Sequence, residues 1–242
     1  MKYTTEHNKK FGGIHYFCAE ILGSPVTCYV LRGRDGDMLI DTGIPFMRRA
    51  LEEYLSDFDI RYILLTHAHV DHDSNAEKLR KSLGAEILLG ERDRELIGHY
   101  GRQPVKATLR RYRLRNIQQN VCGRMKLFST KPYVPNLLLN NHNTGVLRGL
   151  GFDADAVMLP GHTLGSVGVL SEDVLYCGDA FTAMWKKPDI TPHAASVEAM
   201  AGSLERIIGI SPKWLACGHG LPVAMRDARP VMKKYLFSYR KR

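Results

Sequence analysis

The apolar run 60–66, Ile-Arg-Tyr-Ile-Leu-Leu-Thr, ends directly in His67-Ala68-His69-Val70-Asp71-His72. The run reads as a buried strand, so three imidazoles and a carboxylate stand where that strand stops. Neither core packing nor ordinary surface explains so many metal-binding side chains at one strand end. Their spacing constrains geometry further. His67, His69 and Asp71 are two apart, so an extended segment projects them to one side, and His72 then points elsewhere. That pattern suits a strand turning into a loop, with ligands shared between two neighbouring metals. It does not suit the helical H-E-x-x-H arrangement, whose histidines sit one turn apart.

The same device recurs downstream in Pro160-Gly161-His162-Thr163, Cys177-Gly178-Asp179-Ala180 and Cys217-Gly218-His219-Gly220. Each follows a short apolar run with a glycine and then a histidine or aspartate. Glycine lets the backbone turn sharply, so that the ligand can point back into a shared pocket. Imidazole and carboxylate donors suit zinc and also accommodate iron or manganese. Two close cations would acidify a bridging water and polarise a substrate carbonyl or phosphoryl oxygen. Cys177 and Cys217 read as small buried strand residues beside such a site.

The rest of the chain alternates strands and helices around these points. Residues 25–31 and 37–40 read as a hairpin turning at Gly33-Arg34-Asp35-Gly36. Pro45 opens a helical pattern over 46–56. Asp73-Ser74-Asn75 offers caps for a helix over 76–83 that ends at Gly84, with a strand at 85–89. Later strands are expected at 156–159, 167–170, 174–177 and 214–217, and helices at 196–208 and 223–239. Residues from about 92 to 140 break this rhythm. They are strongly basic, with Arg110, Arg111, Arg113 and Arg115 clustered, and Pro132, Pro135 and Asn140-Asn141-His142-Asn143 mark loops. The expectation is a single domain over 1–242 carrying a basic inserted segment, helical or looped and lid-sized.

A net charge of +9 and a pI near 9.3 suggest an anionic small-molecule substrate or a polyanionic partner. The arginine cluster itself reads first as a solvated face. Five scattered cysteines without a CxxC pair, a polar N-terminal stretch without an apolar core, and no run of membrane-span length give a reduced, cytoplasmic, non-membrane protein as the expectation. His7, His15, His99 and His142 read as structural or surface residues. His193 falls after Asp179, where substrate loops often lie, although a structural role is the commoner one for such a histidine.

Taken together, Asp41-Thr42-Gly43, Thr66-His67-Ala68-His69-Val70-Asp71-His72, Pro160-Gly161-His162-Thr163-Leu164-Gly165-Ser166, Cys177-Gly178-Asp179 and Gly218-His219-Gly220 resemble the five ordered motifs of the metallo-β-lactamase superfamily. The resemblance spans roughly residues 20 to 222, nearly the whole chain. It implies an α/β fold, a four-layer αβ/βα sandwich with metals at one edge of two packed sheets. It also implies two zinc ions per chain. His67, His69 and His162 would hold one; Asp71, His72 and His219 the other; Asp179 would bridge them. Asp71 would further orient the nucleophile and accept its proton. Asp41 resembles the family's structural aspartate, which supports the ligand loops.

Departures from subfamily patterns narrow the reaction. Class B1 β-lactamases carry cysteine where Asp179 stands and lack His72. The diiron flavoproteins and persulfide dioxygenases carry glutamate at the position of His69. The full ligand set is similar to glyoxalase II, the acyl-homoserine lactonases and the tRNA 3′-processing endonucleases, without matching any of them throughout. Only some twenty residues follow His219, too few for the glutathione-binding region of glyoxalase II. Ala180-Phe181-Thr182 lacks the lactonase tyrosine, and Asp73-Ser74-Asn75 replaces the endonuclease glycines. The expectation is hydrolysis of a small ester, thioester or lactone by a metal-bridging hydroxide. The alternative is phosphodiester cleavage in a nucleic acid or nucleotide, suggested by the basic insert and by Lys233, Lys234, Arg240, Lys241 and Arg242. Oligomeric state is not legible in the sequence.

Overall fold

Consecutive apolar residues on a strand face opposite ways, and this chain uses that alternation to fill three separate hydrophobic layers. In the computed structural model, residues 2–7, 13–21, 23–124, 130–184 and 187–241 are described. The first half runs through strands β1 (Lys2–His7), β2 (His15–Ile21), β3 (Ser24–Leu31) and β4 (Asp37–Ile40). Helix α1 (Arg48–Leu55), β5 (Ile60–Leu65), α2 (Val70–Asp73), α3 (Ala76–Leu83) and β6 (Glu86–Gly90) follow. The basic segment then contributes β7 (Lys106–Ala107) and α4 (Arg113–Arg124) before β8 (Leu137–Leu139). These strands build a seven-stranded sheet in the order β1-β2-β3-β4-β5-β6-β8, antiparallel up to β4 and parallel beyond it.

The second half supplies α5 (Val146–Gly149), β9 (Asp155–Met158), β10 (Val167–Ser171), β11 (Val174–Gly178), β12 (His193–Ala194), α6 (Val197–Ile210), β13 (Trp214–Cys217), β14 (Val223–Ala224) and α7 (Met225–Arg240). Its five-stranded sheet runs β14-β13-β11-β10-β9, and β12 pairs with β7 in a separate ribbon.

Leu39 on β4, Ile63 and Leu65 on β5, and Ile87 and Leu89 on β6 pack with Leu51 of α1 and Leu79 of α3. Their neighbours Met38, Ile40, Leu64 and Leu88 face the other way, onto Val167, Val169 and Tyr176 of the second sheet. Leu175 and Cys177 turn outward from that sheet onto Leu204 of α6 and Met232 of α7. Helices, sheet, sheet and helices therefore stack as the four layers expected from the sequence. Strands buried on both faces explain why 60–66 reads as a nearly continuous apolar run.

Four local differences separate the structure from the sequence reading. Strands β1 and β2 precede the expected hairpin; β2 buries Phe17 and Ala19 on one face and Tyr16 and Cys18 on the other, so it shows no polar alternation. Residues after His69 are not extended. His69 takes the N-cap position and Asp71 and His72 lie within the α2 turn, so the two-residue alternation ends there. The basic segment also does not stay outside the sandwich up to residue 140, because β8 closes the edge of the first sheet beside β6. The final helix likewise starts at Met225, after the short strand β14. Gly84 does end α3 in the left-handed conformation, as its position implied. Among the described residues, no helix is long and apolar enough to cross a membrane.

Candidate metal centre

The ligand-type residues all leave the C-terminal ends of strands or the turns just beyond them. His67 and His69 follow β5, His162 follows β9, Asp179 follows β11, and His219 follows β13. Two glycines are required by space. Gly178 has φ +50°, and a Cβ there would lie 2.5 Å from Thr66 Oγ1; at Gly218 it would lie 2.5 Å from His72 Cε1 and 2.6 Å from Asp179 Oδ1. The pairing of β11 with β13 also slips between Tyr176 and Gly178, an irregularity of the kind that re-aims a side chain at a strand end.

The seven expected residues converge. His67, His69 and His162 form one group that could hold a metal ion, Asp71, His72 and His219 a second, and His67, His72 and Asp179 a third between them. His69 Nδ1 and His162 Nε2 are 2.9 Å apart. Asp179 Oδ2 lies 3.5 Å from His162 Nε2 and 3.4 Å from His219 Nε2. Its other oxygen is 3.7 Å from His72 Nε2. Asp71 Oδ2 lies 3.3 Å from His219 Nε2. Asp179 thus faces both sides of the cluster. Asp71 is the one member with a substantially exposed side chain, at 37%.

Hydrogen bonds behind the rings fix which nitrogen faces inward. His162 Nδ1–H donates to the His193 carbonyl (2.9 Å), His219 Nδ1–H to the Pro25 carbonyl (2.7 Å), and His72 Nδ1–H to Asp41 Oδ2 (2.8 Å). Thr66 Oγ1 gives its single proton to Asp41 Oδ2 (2.8 Å), so it accepts from His67 Nδ1 at 3.1 Å. Each of these four histidines consequently turns its Nε2 toward the cluster. His67 Nε2, His72 Nε2 and Asp179 Oδ1 are buried without a hydrogen-bond partner. Buried polar atoms are normally paired, and a cation is what this donor set fits.

Asp41 sits beneath the cluster in the left-handed region (φ 62°). Its Oδ1 accepts the Thr66 backbone N–H at 2.8 Å, in addition to the Thr66 hydroxyl and His72 bonds. Asp41 thereby bonds both the strand end that carries His67 and the ring of His72. Electrostatics follow from the same contacts. Burial alone would lower the pKa of His72, but Asp41, Asp71 and Asp179 push it up to about 9. His219 is also raised, burial being outweighed by Asp179 and Asp71. Burial and the neighbouring imidazoles lower His67, and bring His69 down to about 3. Burial would raise both Asp71 and Asp179, yet the surrounding histidines hold both carboxyls below the usual range.

Two supports were not foreseen from the sequence. Asp93, fully buried after β6, accepts hydrogen bonds from Ala68 N (3.0 Å), Thr163 Oγ1 (2.7 Å) and Gly165 N (2.8 Å). It ties the His67–His69 loop to the His162 loop. Burial raises its pKa. Asp73 does not cap a helix; it accepts from Thr130 Oγ1 (2.6 Å) and Tyr133 OH (3.0 Å), which anchors the return of the basic segment beside His72. Burial raises it to about 7. Asn75 likewise uses its Nδ2 to bond the Thr42 and Ile44 carbonyls. Local spacing carries no signal for such long-range contacts. Replacing Asp93 with alanine would orphan the buried Ala68 and Gly165 N–H groups, at about 1–3 kcal/mol each. Thermal unfolding and zinc titration of Asp93→Ala should show a lowered Tm together with weakened metal uptake; unchanged metal affinity would refute the tethering role.

The basic segment leans on the loop behind His162. Arg111 Nη2 pairs with Asp189 at 2.5 Å, Tyr112 OH donates to Asp189 at 2.8 Å, and Thr108 Oγ1 to the Thr191 carbonyl at 2.6 Å. His193 pairs with Ala107 across the β7–β12 ribbon, and its Nδ1 lies 3.3 Å from Asn116 Oδ1. Burial, His162 and Arg115 lower its pKa to about 4. His193 therefore acts structurally through its carbonyl while its ring stays near the cluster. His15 packs edge-on against Phe58, and His99 and His142 are exposed. The His7 and Cys122 side chains, and Arg242, lie outside the described residues. Cys18, Cys28, Cys177 and Cys217 are buried free thiols.

The model of the metallo-β-lactamase superfamily matches residues 21–219. The chain belongs to the metallo-β-lactamase superfamily. It is 30% identical over 151 residues to a hydroxyacylglutathione hydrolase from Shewanella pealeana. That stretch is 62% of this chain but only 40% of the relative, so the chain matches less than half of that protein's length. Among solved structures it resembles the metallo-beta-lactamase family protein TTHA1429 from Thermus thermophilus. The TM-score is 0.66 and the identity 22%, over 95% of this chain and 80% of that one. It also resembles TTHA1623, solved in a di-iron-bound form, with TM-score 0.60 and 18% identity over 96% and 98% of the two chains. These structural likenesses establish the metallo-β-lactamase fold.

Proposed function

We propose that this chain is a dinuclear zinc hydrolase acting on small thioesters, with small esters and lactones as further substrates. The observation that carries the reading is the convergence of unpartnered buried polar atoms of His67, His72 and Asp179 inside a ring of seven imidazoles and carboxylates. The hydroxyacylglutathione hydrolase similarity favours thioesters among the acyl substrates. When bound, two cations would supply an acidified water and polarise the scissile carbonyl. His67, His69 and His162 would hold one, Asp71, His72 and His219 the other, with Asp179 between them. Nitrogen and carboxylate donors suit zinc and iron alike; the di-iron form of TTHA1623 makes iron the competing metal.

Asp71 takes the catalytic role in this reading. It stands at the open edge of the cluster, where its partly exposed carboxylate can orient the attacking water and accept its proton. The neighbouring His72 and His219 outweigh its partial desolvation and keep that carboxylate ionised. Phosphodiester cleavage has less support, because Arg111 of the basic segment is already neutralised by Asp189. RNA binding that weakens steeply with salt would speak for it. The deciding experiment is turnover of a thioester, p-nitrophenyl ester and lactone panel by zinc-loaded protein. Metal-loaded protein inactive on all three classes would overturn the acyl-hydrolase reading.

Metal uptake should depend on pH. With folded-state values raised, to about 9 for His72, His72 and His219 hold protons at neutral pH before a cation arrives. A cation must displace those protons, so apparent affinity should rise with pH until His72 is deprotonated near pH 9, and fall on acidification. Zinc calorimetry in two buffers of different ionisation enthalpy should register net proton release at pH 7. Proton-neutral binding would contradict these assignments.

A further inference from the structure

We propose that helix α4 docks this chain onto anionic lipid surfaces, with Leu114, Ile117 and Val121 entering the bilayer and Arg110 and Arg113 meeting the headgroups. The inference concerns where the chain works and stands independently of the hydrolase reading. Charge is the first observation. Residues 96–152 hold ten lysines and arginines and no aspartate or glutamate, so this segment alone carries more positive charge than the net +9 of the whole chain.

The two sides of α4 have different surroundings. Residues 112, 116 and 120 are four apart and share one side. Tyr112 is buried and donates to Asp189 at 2.8 Å. Asn116 Nδ2 donates to the Val105 carbonyl at 3.0 Å, and Asn120 Oδ1 accepts the Val105 N–H at 2.9 Å. Asn116 also lies beside His193, whose carbonyl holds the His162 ring. This side is fastened to the body of the protein, next to the loop that supports the metal centre. Leu114, Ile117 and Val121, at spacings of three and four, share the other side. They are 83%, 60% and 47% exposed. Single exposed apolar residues are ordinary, but three in register on one helix face, rimmed by arginines, mark an interaction surface. The tight turn Arg110–Tyr112 runs straight into α4. Arg110 and Arg113, both exposed, therefore precede Leu114 and Ile117 by four residues and flank the patch. Arg111 is taken up instead by Asp189.

This pattern selects a lipid surface. An amphipathic helix with arginines beside its apolar stripe lies in the plane of a bilayer, the stripe at the acyl boundary and the guanidinium groups reaching back to the phosphates. A second copy would meet this face across a two-fold axis, setting arginines against arginines in a segment without a carboxylate to offset them. A nucleic acid needs cations at the centre of its contact, where this face has leucine, isoleucine and valine. A folded protein partner needs about 800 Å² from each side, more than three side chains on a convex helix supply. A fluid bilayer moulds itself to the helix and has no such requirement.

The test is cosedimentation of the full chain with vesicles of phosphatidylcholine, with or without phosphatidylglycerol. The chain should bind the phosphatidylglycerol vesicles, progressively less as salt rises, and bind phosphatidylcholine alone at least about tenfold less. Arg110→Gln and Arg113→Gln should each weaken partitioning by about fivefold. Leu114→Gln, Ile117→Gln and Val121→Gln combined should weaken it by at least about tenfold, with Tm unchanged because these side chains are exposed. Leu114→Trp should gain emission that brominated lipid quenches and that the parent lacks. Failure to bind the anionic vesicles, or binding unmoved by the triple glutamine variant, would overturn the proposal. RNA binding or dimerisation lost in the same variants, with vesicles left unbound, would assign the face to that partner and overturn it equally.

Discussion

Replacing Asp71 with asparagine should lower kcat/KM for thioester hydrolysis by about 10²- to 10⁴-fold, the range expected for loss of a positioned proton acceptor. Asparagine keeps the volume and one oxygen donor, so metal content should stay near that of the parent protein while turnover falls. The separation matters because Asp71 has two assigned tasks. Its Oδ2 faces His219 Nε2 at 3.3 Å, as a ligand would, and its side chain is the most exposed of the seven, as a group meeting substrate must be. Asp71→Ala removes both tasks and should lose activity and part of the bound metal together. Steady-state rates alongside metal analysis of both variants resolve the two roles. An asparagine variant within a few-fold of the parent would show that another group takes the proton.

Asp41→Ala should be the most destabilising of the site substitutions, and it touches neither substrate nor metal in this account. It removes the acceptor for the Thr66 N–H, the Thr66 hydroxyl and the His72 Nδ1–H, all buried. Breaking a buried, charge-assisted pair on one side costs about 3–5 kcal/mol, which for a chain of this size lowers Tm by roughly 10 °C. His72 would also lose the leading influence that raises its pKa against burial, and His67 would lose the anchored hydroxyl behind its Nδ1. Asp41→Asn should be milder in stability but still costly for metal binding. Its amide can offer oxygen to Thr66, but not to Thr66 and His72 at once. Differential scanning calorimetry and zinc titration on both variants would expose this division. An alanine variant that melts with the parent would mean that Asp41 is dispensable to the ligand loops.

The sequence exposes the chemical end of this fold better than its supports. His162, Asp179 and His219 each follow an apolar strand and a glycine, and short-range pattern suffices to find them. The glycines are explained by space, since a Cβ at Gly218 would strike His72 and Asp179. Asp93 has no such signature. Its partners are Ala68, Thr163 and Gly165, residues brought to it only when both sheets have packed. The same holds for the Pro25 carbonyl behind His219, separated from it by 194 positions.

The differences in secondary structure have a related origin. Strand β2 buries both faces, so the two-residue alternation that marks a half-exposed strand is missing. Beyond His69 the chain turns into α2, because the His72 and Asp73 N–H groups both bond back to the His69 carbonyl. Asp71 and His72 therefore approach the cluster from a helical turn. The extended geometry implied by the ligand spacing holds only as far as His69.

Anomalous diffraction at the zinc absorption edge, from crystals of zinc-equilibrated protein, tests the central claim most directly. Two anomalous peaks are expected inside the cluster, one among His67, His69 and His162 and one among Asp71, His72 and His219, with Asp179 adjoining both. A folded protein with no peak there, or with zinc bound only elsewhere on the chain, would contradict it.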